Sequence, residues 1–406
     1  MRVATERPSS SGSQDSLPAV IWSETAQQAH WAATLIAGLP LLLRQVFDLG
    51  RAGVSRVLLI GAPLAETWRR ISPTSGRTPI PVETYKAFAE VTGRLGELDA
   101  EQCCWLRCDL FLQPEALKTL IQAARDREGS LALVTPGARL PACIGGRELP
   151  RDPGELIRVA PCGGFVLAGP KDLRGAEELL FESIAPSSDS PGLDRLLHRR
   201  LSRLVSRGLL RTPITPNQVT ILALLVGLGG VWALTRGDWL GGAVGFVCYL
   251  LFCILDCVDG EIARLKFLAS RFGDLWDITV DNLVRGGLIA AMGWGMGVQS
   301  ADGDLVWLGG IGGLGVFLDG WVVYAALEGR GRARGEPGQR SVIPAQVISN
   351  QDIMYGVILL YMILLEVGRW AALFLGGIAA GAHLFWMLLL ARLFWSRRVA
   401  AAWRTE

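Results

Sequence analysis

Five aspartates, Asp256, Asp259, Asp274, Asp277 and Asp281, fall within 26 positions of this 406-residue chain. Asp256 and Asp259 stand three apart, and Asp277 and Asp281 four apart, so on helices the members of each pair share one face. They lie at the borders of apolar runs, where an ionisable side chain is costly and marks a functional site by default. Four carboxylates converging at low dielectric cannot all stay ionised unless a cation neutralises them. Oxygen-only ligation, with neither His nor Cys in the set, suits Mg2+ or Mn2+, and a carboxylate cluster holding Mg2+ commonly serves a phosphate-bearing substrate. Two blander readings stand beside this one: a salt-bridge network with nearby arginines, and a proton relay in a transporter. The small residues fit the metal reading. Gly260 and Gly273 let a ligand approach the backbone, Ala263 keeps the helix face open, and Arg264 supplies a fixed charge for a phosphate. Asp274 reads as a helix-start residue favoured by the helix dipole.

The segments that carry these residues are apolar. Half of the chain is hydrophobic and 19% is charged, too apolar on average for an ordinary soluble protein. The excess lies in the C-terminal half. Six segments there approach the roughly 20 residues that a bilayer requires: Val219–Leu234, Leu240–Leu255, Leu275–Val298, Leu305–Leu327, Ile353–Val367 and Ala371–Trp395. Arg264, Lys266 and Arg271 flank one side, as do Arg330, Arg332, Arg334 and Arg340, then Arg397, Arg398 and Arg404. The opposite loops hold only Arg236 and Arg369. The excess of basic residues on one side places both termini and the aspartates on the cytoplasmic side of a plasma or inner membrane. Ahead of the first segment, Leu193, Leu196, Leu197, Leu201 and Leu204 recur at helical spacing among Arg195, Arg199, Arg200, Arg203 and Arg207. This reads as a basic amphipathic helix, within 189–212, lying on the anionic leaflet. Inside the segments, Asp319 is expected to pair with Arg285, and His383 to be a hydrogen-bonded packing residue. The arginine- and glycine-rich stretch from Gly329 could hold an acceptor's phosphate or could only set topology; Asn350 or Asp352 could cap the fifth segment.

The spacing Asp256-x2-Asp259-Gly260-x2-Ala263-Arg264-x8-Gly273-x3-Asp277-x3-Asp281 fixes eight residues. It resembles, at every one of those positions, the signature of CDP-alcohol phosphatidyltransferases. Thr215-Pro216-Asn217-Gln218-Val219-Thr220 is similar to the segment that opens that family's first membrane helix, and the resemblance covers about residues 213–397. It implies a six-helix membrane domain that binds the diphosphate of a CDP-linked donor through two divalent cations, Mg2+ or Mn2+. An acceptor hydroxyl, on a lipid or a polyol phosphate, attacks phosphorus and CMP leaves. By that resemblance Asp256, Asp259 and Asp277 are metal ligands, and Asp281 completes the site as a ligand and candidate base. Gly260, Ala263, Arg264, Gly273, Asn217 and Thr220 fall to the CDP and phosphate groups. A carboxylate beside two cations stays ionised but is a weak base. A homodimer is expected.

Residues 17–188 have soluble composition and read as α/β. Strands are expected at Ala19–Trp22, Ser55–Gly61, Ile80–Tyr85, Cys103–Leu112, Leu131–Thr135 and Gly164–Ala168, with helices at Pro40–Arg51 and Pro114–Ala124. Strands alternating with helices imply a mostly parallel sheet. Ala37-Gly38-Leu39-Pro40-Leu41, Arg107-Cys108-Asp109 and Gly163-Gly164-Phe165 resemble the nucleotidyltransferase domain of bifunctional inositol-1-phosphate cytidylyltransferase/di-myo-inositol-phosphate-phosphate synthases. Asp109 stands where a metal-binding aspartate is expected. The glycine-rich triphosphate loop is missing, because Ser23–His30 contains no glycine. The domain therefore reads as degenerate, the alternative being an enzyme that also makes its own CDP-alcohol from CTP. Residues 1–16 are polar and serine-rich, a tail with no apolar stretch of a signal peptide, and 398–406 form a second tail. Forty basic against 38 acidic residues give a net charge of +2, no basis for nucleic-acid binding. Eight cysteines without paired CxxC spacing argue against structural zinc and for reduced cytosolic thiols. A non-enzymatic transporter or scaffold with an acidic membrane site is the reading of another class.

Overall fold

The computed structural model describes residues 17–402 apart from 76–77, 127–129, 136–137, 151–154, 159–162, 185–196, 334–349 and 368–369. The expected tail 1–16, residues 193–196 of the basic helix, Ser349 and the arginine-rich loop beyond Ala333 lie outside the described residues. The chain forms two compact units, Met1–Ala185 and Pro186–Glu406.

The first unit runs β1 (Ala19–Trp22), α1 (Ala26–Ala33), β2 (Leu35–Ile36), β3 (Leu39–Pro40), α2 (Leu41–Arg51), β4 (Val57–Ile60), α3 (Ala62–Ser75), β5 (Val82–Tyr85) and α4 (Phe88–Glu97). It continues with β6 (Cys103–Arg107), β7 (Leu110–Leu112), α5 (Pro114–Asp126), β8 (Leu131–Thr135), β9 (Ala138–Gly145), β10 (Glu155–Arg158), β11 (Gly164–Val166) and α6 (Pro170–Ser183). Seven strands make one sheet in the order β10-β8-β9-β6-β1-β4-β5. β1 lies parallel to β4 and β6, and β4 to β5. The tetrapeptides Ala-Val-Ile-Trp and Val-Leu-Leu-Ile are buried throughout, as parallel strands covered on both faces must be. The sheet is mixed rather than simply parallel, because β9 runs antiparallel to both β6 and β8. The strand expected over Cys103–Leu112 is two strands: β6 enters the main sheet, and β7 turns away at Cys108–Asp109 to pair with β11.

The second unit is helical: α7 (Arg199–Leu209), α8 (Pro216–Leu234), α9 (Trp239–Leu265), α10 (Arg271–Ser300), α11 (Gly303–Ala333), α12 (Asn350–Val367) and α13 (Ala371–Ala402). All six expected apolar segments are helices. Four of the helices, over Pro216–Leu234, Trp239–Leu265, Gly303–Ala325 and Ala371–Arg392, are long and apolar enough to cross a membrane. The apolar part of α12, Ile353–Glu366, is shorter, and α10 carries three aspartates and two arginines, so the count of six spans is not reached on length and composition. Tyr249, Phe252, Val284, Leu288, Tyr361 and Leu375 build the core of the unit, and the Tyr361 hydroxyl donates to the Leu234 carbonyl at 2.9 Å.

Glycine sets the helix spacing. A Cβ on Gly293 of α10 would lie 2.5 Å from the Gly309 Cα of α11, and one on Gly286 would lie 2.6 Å from the Gly313 carbonyl oxygen. The two backbones thus touch, as small residues permit at membrane helix interfaces. Gly237, at φ +67° between α8 and α9, lies so close to Gly295 that a Cβ would stand 2.3 Å from its carbonyl oxygen.

The basic helix meets the rest of the unit through its small polar residues. Ser202 and Ser206 of α7 are buried, while Leu197, Leu201, Leu204 and Val205 face outward. The apolar stripe is therefore on the outer side, available to a lipid surface, and the serines pack toward α9.

Candidate metal centre

α9 and α10 hold the aspartates at the end where the two helices meet. Asp238 caps α9, its side chain accepting from the Gly241 amide at 2.6 Å. Ser270 caps α10, accepting from the Gly273 amide at 3.0 Å. At the opposite end of α9 from Asp238, next to Ser270, Lys266 donates through Nζ to the Thr212 carbonyl at 2.8 Å and the Ile214 carbonyl at 3.3 Å, which ties the α9–α10 corner to the segment entering α8. One carboxylate oxygen each from Asp256, Asp259 and Asp277 lies within 4.8 Å of the others. Asp259 is buried and the other two are half-buried. Three carboxylates drawn together out of bulk water repel one another unless a cation lies between them. The oxygen-only donor set fits a hard divalent ion, and these three residues would hold it.

Thr220, expected at the substrate, is found behind Asp259. Its buried hydroxyl donates to Asp259 Oδ2 at 2.5 Å. Partners of this kind orient a ligand, and removing them typically costs about 10–100-fold in metal affinity or activity. Thr220→Val is therefore expected to weaken Mn2+ binding by about 10–100-fold and Thr220→Ser to restore most of it. Titrating Mn2+ into both variants checks this, and equal affinities for valine and wild type would refute it.

The other expected residues surround the three carboxylates unevenly. The exposed Arg264 lies over Gly260, where a Cβ would come within 3.2 Å of its guanidinium. The exposed Asn217 faces Gly273, at 3.7 Å between its Oδ1 and the position of a Cβ there. Ala263 is half-buried. Asp274 is exposed in the first turn of α10 and is not among the gathered oxygens, as a helix-start residue would be.

Asp281 Oδ2 accepts from Nη2 of Arg285, one turn along α10. This corrects the expected Arg285–Asp319 pairing: a partner at i,i+4 on the same helix needs no inter-helix fit. His383 packs as expected. Its Nε2 is 3.0 Å from the Ile311 carbonyl oxygen, and its Nδ1 accepts from the Trp386 indole at 3.1 Å.

Sequence reasoning passed over Glu261. It lies within the signature on the side of α9 away from Asp259, buried, and accepts from the Ser202 hydroxyl of α7 at 2.8 Å. His198, at the start of α7, meets the Tyr355 hydroxyl of α12 at 2.7 Å. A carboxylate in an apolar helix opposite a serine-bearing amphipathic segment was the available signal.

In the first unit, the chain after β1 is committed to capping a helix. Thr25 Oγ1 accepts from the Gln28 amide at 3.2 Å. Gln28 Oε1 accepts from the Glu24 and Thr25 amides at 2.7 and 3.2 Å. These are the amides that a phosphate cradle after the first strand would use. Asp109 is buried, with Oδ1 2.7 Å from Arg107 Nε.

Residues 213–389 match the family model described as CDP-alcohol phosphatidyltransferase, so the C-terminal part carries that domain. Among known proteins, the chain is similar to the bifunctional IPC transferase and DIPP synthase of Thermococcus kodakarensis, 32% identical over 125 residues, 31% of this chain and 28% of that protein. The protein of the same name from Rubrobacter xylanophilus is 35% identical over 133 residues, 32% of this chain and 29% of that protein. The phosphatidylinositol phosphate synthase of Mycobacterium tuberculosis is 33% identical over 121 residues, 29% of this chain and 54% of that protein. The chain thus spans between about a quarter and about half of the length of these relatives.

Proposed function

We propose that this protein is an integral membrane CDP-alcohol phosphotransferase, which moves a substituted phosphate from a CDP-linked donor to an acceptor hydroxyl and releases CMP. The observation that carries the reading is the gathering of Asp256, Asp259 and Asp277, at signature spacing, on two helices of the matched domain. Mg2+ or Mn2+ on these carboxylates would offset charge on the donor's diphosphate and on departing CMP. Arg264, exposed over Gly260, adds a fixed positive charge for a phosphate. The excess of arginine at this end of the helices supports a site and both termini on the cytoplasmic side. The names of the relatives support an inositol phosphate or lipid phosphate chemistry for the acceptor. The test is CMP release by full-length protein in nanodiscs from CDP-diacylglycerol and from CDP-inositol, each against a panel of polyol phosphate and lipid acceptors. No CMP from any pairing would sink the reading.

The first unit is read as non-catalytic, a docking or substrate-presenting domain. Its support is the Thr25–Gln28 capping pair and the Arg107–Asp109 ion pair, which occupy the amides and the carboxylate that a nucleotide triphosphate and its metal would need. Asp109→Asn is expected to leave the CMP release rate of the full chain unchanged, and the wild type is expected to release no pyrophosphate from CTP and inositol phosphate. Pyrophosphate release that Asp109→Asn abolishes would make the protein bifunctional instead.

A further inference from the structure

α7 is fastened to the other helices of its unit by polar contacts. The buried His198 meets the Tyr355 hydroxyl of α12 at 2.7 Å. The buried Ser202 donates to Glu261 Oε1 of α9 at 2.8 Å. The short connection from α7 to α8 is held by Lys266 through the Thr212 and Ile214 carbonyls. The helix is thereby fixed beside the ends of α8 and α9 that carry Thr220 and Asp259. Its apolar side chains point elsewhere: Leu204 is 70% exposed, and Leu197, Leu201 and Val205 are each 37% exposed. Arg199, Arg200, Arg203 and Arg207 stand among them, Arg200 and Arg207 exposed, and Arg199–Leu209 contains no acidic residue. An outward apolar stripe with cationic flanks and no carboxylate fits a layer with an anionic surface and a hydrocarbon interior.

The same helix reaches the signature from behind. Glu261 follows Gly260 and stands two residues from Asp259. It is 6% exposed, and its Oε1 takes the Ser202 hydroxyl. Its Oε2 is buried with no hydrogen-bond partner among the described residues, as is the Ser206 hydroxyl one turn along α7. A buried carboxylate that loses its donor bears the full desolvation penalty. If α7 lifts away, Glu261 must reach water, and the last turns of α9, which hold Asp259 and Gly260, must move with it. We propose that α7 binds an anionic phospholipid leaflet, and that the Ser202–Glu261 bond makes the carboxylate site depend on that binding. Glu261 is a positioning residue that acts through the backbone of α9. The effect on turnover rests on the transferase reading given above; the binding does not.

The test uses full-length protein in nanodiscs of phosphatidylcholine alone and of phosphatidylcholine mixed with phosphatidylglycerol. Leu204→benzoylphenylalanine, photolysed and read by mass spectrometry, identifies what covers the outer face of α7. Phospholipid is expected; a crosslink to residues 17–185 or to a second copy of the chain would overturn the proposal. Hydrogen exchange across residues 256–265 reads the coupling without turnover. In wild type it is expected to slow about tenfold with phosphatidylglycerol, and in Ser202→Ala to be the same in both lipids. CMP release by wild type is expected to rise about tenfold with phosphatidylglycerol, and by Ser202→Ala less than about twofold. Glu261→Gln, whose amide oxygen still accepts from Ser202, is expected to keep the response. Equal exchange of wild type in both lipids would overturn the coupling, as would a wild-type response in Ser202→Ala or its loss in Glu261→Gln. Should no CMP appear in either lipid, the transferase reading falls, while crosslink and exchange still decide whether α7 binds the leaflet and moves α9.

Discussion

Asp259→Asn is expected to lower the rate of CMP release by a thousandfold or more. A metal acting on a transferring phosphoryl group supplies several kcal/mol of charge stabilisation, and each ~1.4 kcal/mol is a factor of ten in rate. Asparagine has the shape of aspartate, and its amide oxygen can still accept from Thr220, so the hydrogen bond that fixes the side chain survives. What is lost is the negative charge that a divalent ion requires. The same substitution relieves repulsion among the gathered carboxylates, so the thermal midpoint of the metal-free protein should stay level or rise. Excess EDTA is expected to bring wild type down to the rate of the variant. A rate near wild type for Asp259→Asn in Mg2+, or transfer that persists in EDTA, would break the assignment.

Gly293→Leu is expected to abolish recovery of monodisperse protein. A Cβ at this position would stand 2.5 Å from the Gly309 Cα and 2.7 Å from the Leu305 carbonyl oxygen, both backbone atoms that cannot rotate aside. Overfilling a packed interface commonly costs about 1–3 kcal/mol where side chains can adjust. Here two helices must part, and α10 carries Asp277 and Asp281 with it. Gly310, one position beyond Gly309 on α11, meets nothing within 4 Å and provides the control. Gly310→Ala should behave as wild type on size exclusion and in thermal unfolding. Equal yields of Gly293→Leu and Gly310→Ala would show that the α10–α11 contact is not what sets the helix spacing.

The carboxylate cluster was legible because its information is local: Asp256 and Asp259 share a face of one helix, and Asp277 stands near the start of the next. The strands β1, β4 and β8 were legible for a similar reason, each being a short apolar run between turn residues. The antiparallel β9 was not. Its sequence, Ala-Arg-Leu-Pro-Ala-Cys-Ile-Gly, carries a proline and a charge that break the pattern of an apolar strand, and besides β8, which directly precedes it, its place depends on β6, which is distant in the chain. The partners of Arg285, Thr220 and Glu261 were hidden too. A polar side chain in an apolar helix announces that it needs a partner, but which one it takes is decided by rotation of whole helices about their axes. Composition identified α7 as amphipathic, yet only packing reveals that Ser202 links it to Glu261 of α9.

The length of α9 carries a consequence for how reactants arrive. From Trp239 to Asp256 is seventeen positions, or about 26 Å of helix rise. The hydrocarbon layer of a bilayer is about 30 Å thick. With Trp239 at one face of the membrane, the first aspartate stands just short of the opposite face, and the last turns of α9 emerge among the lipid headgroups. The reaction centre is then a shallow basin at the water boundary. An amphiphile could present its phosphate there without leaving its own leaflet, while a water-soluble partner enters from above. Depth along one helix would thereby sort reactants by where their phosphorus rides in the membrane, before any side chain recognises them.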